Sequence, residues 1–187
     1  MESVNNFGQM SDFELCQALS SRKDIAELAF TEIYNRYSQM LFTFILRTIV
    51  NRADAKDIFQ ETFLKFYSCC VNGAKVANIL PMLLKIARNL CLNRFRDKKA
   101  IVPFEDNRIM VFDEELERNE TSKIVANALS LLEYPTREIF VLHHYQSLTF
   151  SEIAEITGES LATIKTRYYR AKEKLRNYLI PFLKNEK

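Results

Sequence analysis

The chain has 187 residues, enough for one medium domain or two small ones, and with only three glycines and four prolines to punctuate strands an all-α fold is expected. Cys16, Cys69, Cys70 and Cys91 form no regular framework, no secretory signal precedes them, and the apolar stretch from Met40 to Val50 is interrupted by Arg47. A disulfide scaffold and a membrane-spanning protein are therefore excluded, and a reduced cytoplasmic protein is expected. The net charge of +2 is unevenly spread. Residues 75–100 carry seven basic side chains and one acid (+6), residues 101–120 two basic and seven acidic (−5), and residues 161–187 eight basic and two acidic (+6). Two basic zones around an acidic spacer suit a protein that touches a polyanion twice through a connector that avoids it.

Ser11-Asp12-Phe13-Glu14 has the form of a capping box and predicts a short first helix. Asp24 is expected to cap a second, longer one, whose apolar residues from Phe30 through Tyr37 and Phe44 to Ile49 recur at threes and fours. A third helix is predicted from about Ala53 to Val71, burying Phe59, Phe63 and Phe66 and stopped by Asn72-Gly73. Its opposite side carries Asp54, Asp57, Glu61 and Leu64, with Gln60 at the edge. An acidic stripe repels DNA and suits an arginine-bearing protein surface.

A fourth helix is predicted from about Asn78, with Pro81 tolerated in its first turn and Leu83, Ile86 and Leu90 buried. Lys85, Arg88 and Arg96 are expected to share an exposed side with Leu92, beside Asn89 and Asn93, and to track phosphates. In the preceding loop, Asn72, Lys75 and Asn78 could hydrogen-bond an unstacked base. The helical period then lapses between about Lys98 and Phe112. The expected organisation is thus a bundle over residues 1–97, a flexible acidic linker over 98–112 and a second bundle over 113–187.

In the second bundle, helices are predicted from near Asp113, carrying Ile124, Ala128, Leu131 and Leu132, and after Pro135, carrying Ile139, Phe140 and Leu142. Thr149-Phe150-Ser151-Glu152 is a second capping box, Gly158 ends the helix it opens, and Ser160 caps the next after a turn of about three residues. That is a helix-turn-helix. On its last helix Leu161, Ile164, Tyr168, Ala171 and Leu175 line one side, so Ala162, Thr163, Thr166, Tyr169 and Arg170 face outward with Lys165 and Arg167 on the flanks. Hydroxyls and a guanidinium suit base edges in a major groove, and flanking cations suit the backbone.

These motifs resemble those of bacterial RNA polymerase sigma factors of the extracytoplasmic-function group, over nearly the whole chain. The run from Asp54 to Leu64 is similar to the signature helix of that family's region 2, and Leu83 to Asn89 resembles the motif that follows it. Glu152-Ile153-Ala154 and Thr163 to Arg167 resemble the reader in region 4. The resemblance implies that Asp54, Asp57, Gln60, Glu61 and Leu64 dock on the clamp helices of the polymerase's largest subunit. It further implies that Lys85, Arg88, Asn89, Arg96 and the loop residues Asn72, Lys75 and Asn78 bind the melted minus-ten element. Thr163, Lys165, Thr166, Arg167, Tyr169 and Arg170 would then read the minus-thirty-five duplex, and an anti-sigma protein is a further partner. Met82 stands where family members commonly carry tryptophan.

A conventional helix-turn-helix regulator acting without polymerase is the leading alternative, though no dimerisation helix or ligand pocket stands out. A helical interaction protein with solvating basic faces is another. With no nucleophile and base pair, no paired carboxylates and no glycine-rich phosphate loop, enzymatic activity is not expected. His143 and His144 are adjacent and no C-x-x-C or H-x-x-x-H spacing occurs, so no metal or cofactor is expected either.

Overall fold

The computed structural model describes residues 7–49, 51–101 and 120–184, and every regular element among them is helical. A 3-10 turn at Phe7–Gln9 precedes α1 (Asp12–Ala18), α2 (Lys23–Ile49), α3 (Arg52–Val71) and α4 (Ile79–Ile101), then α5 (Glu120–Ser130), α6 (Tyr134–His144), α7 (Phe150–Thr157) and α8 (Leu161–Lys184). The first bundle is α1–α4 and the second, with the helix-turn-helix, is α5–α8. Helix α4 runs on into the stretch expected to be linker. The rest of that linker and the predicted helix start near Asp113 lie outside the described residues.

Local chemistry sets the helix ends. Ser11 Oγ accepts from the Glu14 amide at 3.3 Å while Glu14 Oε2 accepts from the Ser11 amide at 2.7 Å, and Thr149 and Glu152 repeat both distances at the start of α7. The Ser11 and Thr149 hydroxyls, each donating to the glutamate at 2.7 Å, and then their backbone amides hold the Glu14 and Glu152 carboxyls below their ordinary range. Asn51 Oδ1 caps α3 through the Asp54 amide at 3.0 Å. Asp24 does not cap α2 as expected: it lies inside the first turn, where its charge favours the helix dipole, and it pairs with Arg22 at 3.0 Å.

Phe44, Phe66, Leu15, Leu41, Ile45 and Leu83 fill the first core. The two bundles then pack face to face, α6 against α2 and α7 against α4, so that one buried cluster runs from Leu15 on α1 to Ile164 on α8. A smaller cluster of Ala128, Leu129, Leu132, Ala171 and Leu175 joins α5 to α8. The seam between bundles is partly polar. Phe95 and Tyr134 meet at 5.1 Å between ring centroids, Arg137 Nη1 donates to the Thr48 carbonyl at 3.0 Å, and Gln146 Nε2 donates to the Met40 carbonyl at 3.1 Å. Arg88 Nε lies 3.1 Å from Glu138 Oε1, with the Glu138 side chain only 2% exposed. Withdrawing these groups from water disfavours their charged forms, which pushes the Arg137 guanidinium down to about 10 and the Glu138 carboxyl up to about 7.

Candidate nucleic-acid interface

Helix α3 is backed by an aromatic ladder in which Phe59 and Phe63 meet Phe30, Tyr34 and Phe42 at ring separations of 5.2 to 6.0 Å. Aromatic rings are stiff, so the opposite face of α3 is presented on a rigid support. Asp57, Gln60 and Glu61 are exposed there, and Leu64 is 70% exposed at the end of the row. Glu61 pairs with Lys65 one turn on, at 3.0 Å, a solvated contact worth little. Asp54 departs from the expected stripe: its side chain is largely buried, 3.6 Å from Arg94 of α4, because at the start of α3 the fourth helix comes within reach.

On α4, Lys85, Asn89, Asn93 and Arg96 are exposed as expected. Arg88 is not. Its side chain is 14% exposed and turned toward Glu138 of α6, because the second bundle packs over that side of the helix. Leu92 is likewise half-buried against the shared core. Before α4, the chain leaves α3 through Asn72, and Gly73 adopts a left-handed φ of +90°, where a side chain would be strained. The Gly73 and Ala74 amides return to the Cys70 and Cys69 carbonyls, both at 3.0 Å. Val76 is buried as the loop's anchor, which leaves Asn72, Lys75 and Asn78 on its exposed rim.

The helix-turn-helix has the geometry its sequence encodes. Gly158 takes φ +73° and its amide donates to the Ala154 carbonyl at 2.8 Å, turning the chain within three residues. Ser160 Oγ accepts from the Thr163 amide at 3.2 Å and so opens α8, and Ile164 is fully buried between the two helices. Lys165, Thr166, Tyr169 and Arg170 project outward, Tyr169 being 59% exposed. Thr163 is half-buried, its hydroxyl 2.8 Å from that of Ser160. Thr166 Oγ1 donates to the Ala162 carbonyl at 2.9 Å, so its lone pairs remain to accept, and the exposed side chain also offers a methyl. It can therefore meet the amino group of cytosine or adenine, or the thymine methyl. Arg167 is held by an ion pair with Glu159 in the turn, which fixes its guanidinium beside the positive end of α8.

Sequence reasoning missed the polar seam between the bundles. A signal was present, since Glu138 lies in the same helical stripe as the buried Tyr134, Val141 and Leu142, and a carboxylate there demands a partner. His143 and His144 stack on Phe150 at 4.5 Å and Phe140 at 5.2 Å, and among the described residues no group of three or more His, Cys, Asp or Glu is placed to hold a metal ion.

Comparison with known proteins gives these surfaces a context. The family model for Sigma-70 region 2 matches residues 33–101 and that for Sigma-70 region 4 matches residues 122–175. The RNA polymerase sigma factor SigV of Bacillus subtilis is 30% identical over 140 residues, covering 75% of this chain and 84% of the relative. The ECF RNA polymerase sigma factor SigM of the same organism is 26% identical over 150 residues, covering 78% and 91%. Among solved structures, the sigma factor RpoE of Bartonella quintana in complex with the anti-sigma factor NepR matches with a TM-score of 0.67 at 21% identity, covering 80% of this chain and 96% of that one. CnrH in complex with the cytosolic domain of CnrY matches with a TM-score of 0.67 at 22% identity, covering 91% and 97%. The acidic helix of the first bundle and the helix-turn-helix of the second thus fall within the two matched regions, and the chain belongs to the sigma-70 family as an RNA polymerase sigma factor of the extracytoplasmic-function group.

Proposed function

We propose that in directing promoter-specific initiation this sigma factor divides its work among three surfaces. Asp57, Gln60, Glu61 and Leu64 of α3 dock on the clamp helices of the polymerase's largest subunit. Thr163, Lys165, Thr166, Arg167, Tyr169 and Arg170 read the minus-thirty-five duplex, and Lys85, Asn89, Arg96 and the loop residues Asn72, Lys75 and Asn78 hold the melted minus-ten strand. The observation that carries this reading is the separation of charge: the acidic face of α3 and the hydroxyl and cation face of α8 both project outward, on different bundles. Chemistry of its own is no part of the role. The site of action is the cytoplasm, with core polymerase and the chromosome, and no described helix is long and apolar enough to cross a membrane. An anti-sigma protein is a second partner in this reading.

The packed arrangement must open for the work to be done. The element names place the two DNA sites about 25 base pairs apart, or about 85 Å at about 3.4 Å per step. A compact chain of 187 residues has a radius of gyration of about 16 Å and spans about 40 Å. Closed, it cannot touch both. Opening also frees Arg88 from Glu138 and returns it to the phosphate-tracking row of α4. Because polymerase fixes the separation of two individually weak contacts, the second becomes intramolecular and the pair becomes strong.

Run-off transcription with core polymerase and a promoter library tests the whole scheme, with initiation expected only when both are present. Promoter duplex should bind the free protein far more weakly than it binds holoenzyme; equal affinities would overturn the division of labour. In the same library, Thr166→Ala or Arg170→Ala is expected to relax preference at one or two upstream positions by about tenfold, as the loss of a base contact does. An unchanged preference removes those residues from the reader.

A further inference from the structure

Helix α1 lies outside the residues matched by the region 2 model, and the three surfaces above leave its capping box unexplained. Its second residue reaches across the bundle. Asp12 Oδ2 accepts from the Ile79 amide, the first of α4, at 2.7 Å and across 67 positions of sequence. Asp12 Oδ1 accepts from the Tyr37 hydroxyl of α2 at 2.6 Å, and the Arg36 guanidinium stands 3.9 Å away. The carboxylate is thus fixed by α2 and aimed at the positive end of a 23-residue helix. Asn78, the residue before α4, remains exposed.

The other end of the same loop is also tied to α1 and the turn after it. Cys16 of α1 and Cys70 in the last turn of α3 are buried in the same core cluster, and the Ser20 hydroxyl donates to the Cys70 carbonyl at 3.4 Å. The segment between Cys70 and Ile79, which carries Asn72, Lys75 and Asn78, is therefore pinned at both ends by one short element. We propose that Asp12 is a positioning residue for melted-strand capture: by capping α4 from α1 it fixes where the 72–78 loop stands and holds Asn78 on its exposed rim. This rests on the loop reading given above. Asp12 itself touches no DNA.

The test uses holoenzyme assembled from core polymerase and full-length protein, with a fluorescent single-stranded minus-ten oligonucleotide as probe. Core affinity and binding of an upstream duplex are measured alongside. Asp12→Ala is expected to weaken oligonucleotide binding about tenfold while core affinity and duplex binding stay at wild-type values. Asp12→Asn, which can accept from Ile79 and donate to the Tyr37 oxygen, should restore binding to within about threefold. A combined Asn72→Ala, Lys75→Ala, Asn78→Ala variant reports on the loop itself. If that variant weakens the probe and Asp12→Ala does not, the positioning role is wrong and the loop reading stands. If Asp12→Ala loses core binding and duplex binding to the same degree, its role is only to hold the fold, and the proposal fails. If the loop variant binds the probe like wild type, the loop reading falls and the role of Asp12 falls with it.

Discussion

Asp57→Arg is expected to abolish association with core polymerase, weakening it by at least about a hundredfold, while leaving the fold intact. The side chain is exposed in the first half of α3, one turn from Glu61 and within the row that ends at Leu64. Against the arginine-bearing surface proposed to receive α3, a positive charge converts attraction into repulsion, and like charges at an interface cost several kcal/mol. Stability should barely move, because exposed substitutions away from caps and cores stay within about 0.5 kcal/mol. Asp54 supplies the contrast. Its largely buried carboxylate lies 3.6 Å from Arg94, so Asp54→Arg should lower the melting temperature as well as polymerase binding. Titration of labelled protein with core enzyme, with a thermal melt of each variant, separates the two effects. Wild-type affinity in Asp57→Arg would show that α3 docks elsewhere.

What could be read from the sequence was whatever is written within one helix or one turn. The capping boxes at Ser11 and Thr149, the stop at Asn72-Gly73, the left-handed Gly158 and the outward row of Thr166, Tyr169 and Arg170 are all determined within about eight residues of chain. So is the acidic face of α3, because a period of 3.6 assigns opposite sides once the phenylalanines are placed inside. The misreadings at Arg88, Leu92 and Asp54 share a cause. Periodicity tells which side of a helix is apolar, but not whether a second element, here α6 over Arg88 or α4 beside Asp54, covers the polar side. Long side chains compound this, since a guanidinium on α4 can reach a carboxylate on another bundle while its own backbone lies at the edge of the stripe. Asp12 is the same lesson inverted: its capping target is 67 residues away, so no local pattern discloses it.

The seam between bundles should respond to pH through Glu138. Burial pushes its carboxyl up to about 7, while Arg88 and the Tyr134 hydroxyl at 3.1 Å pull the other way. Also facing it are Cys91 from α4 and Glu159 from the turn before α8. When the bundles separate, the carboxyl returns to water and to its ordinary value of 4.5. Between that value and about 7 the closed form keeps a proton that the open form has released. Closure is therefore favoured at low pH, weakens as pH rises through this window, and levels off above about 7. The whole span is worth about 3 kcal/mol, from the difference between the two values at about 1.4 kcal/mol per unit. Energy transfer between fluorophores on α3 and α8 should show more of the separated form at pH 8 than at pH 6, conditions chosen to bracket about 7. Glu138→Gln keeps an acceptor for Arg88 and Tyr134 but cannot titrate, so it should flatten that dependence. Glu138→Ala strands the Arg88 guanidinium in a site that is 14% exposed, and should shift the balance toward the open form by about 3 kcal/mol. Because Arg88 is then released to the side of α4 proposed to track phosphates, the same variant should bind promoter DNA more tightly without polymerase. Equal transfer at both pH values, or a slope that survives Glu138→Gln, would mean that another group holds the bundles together.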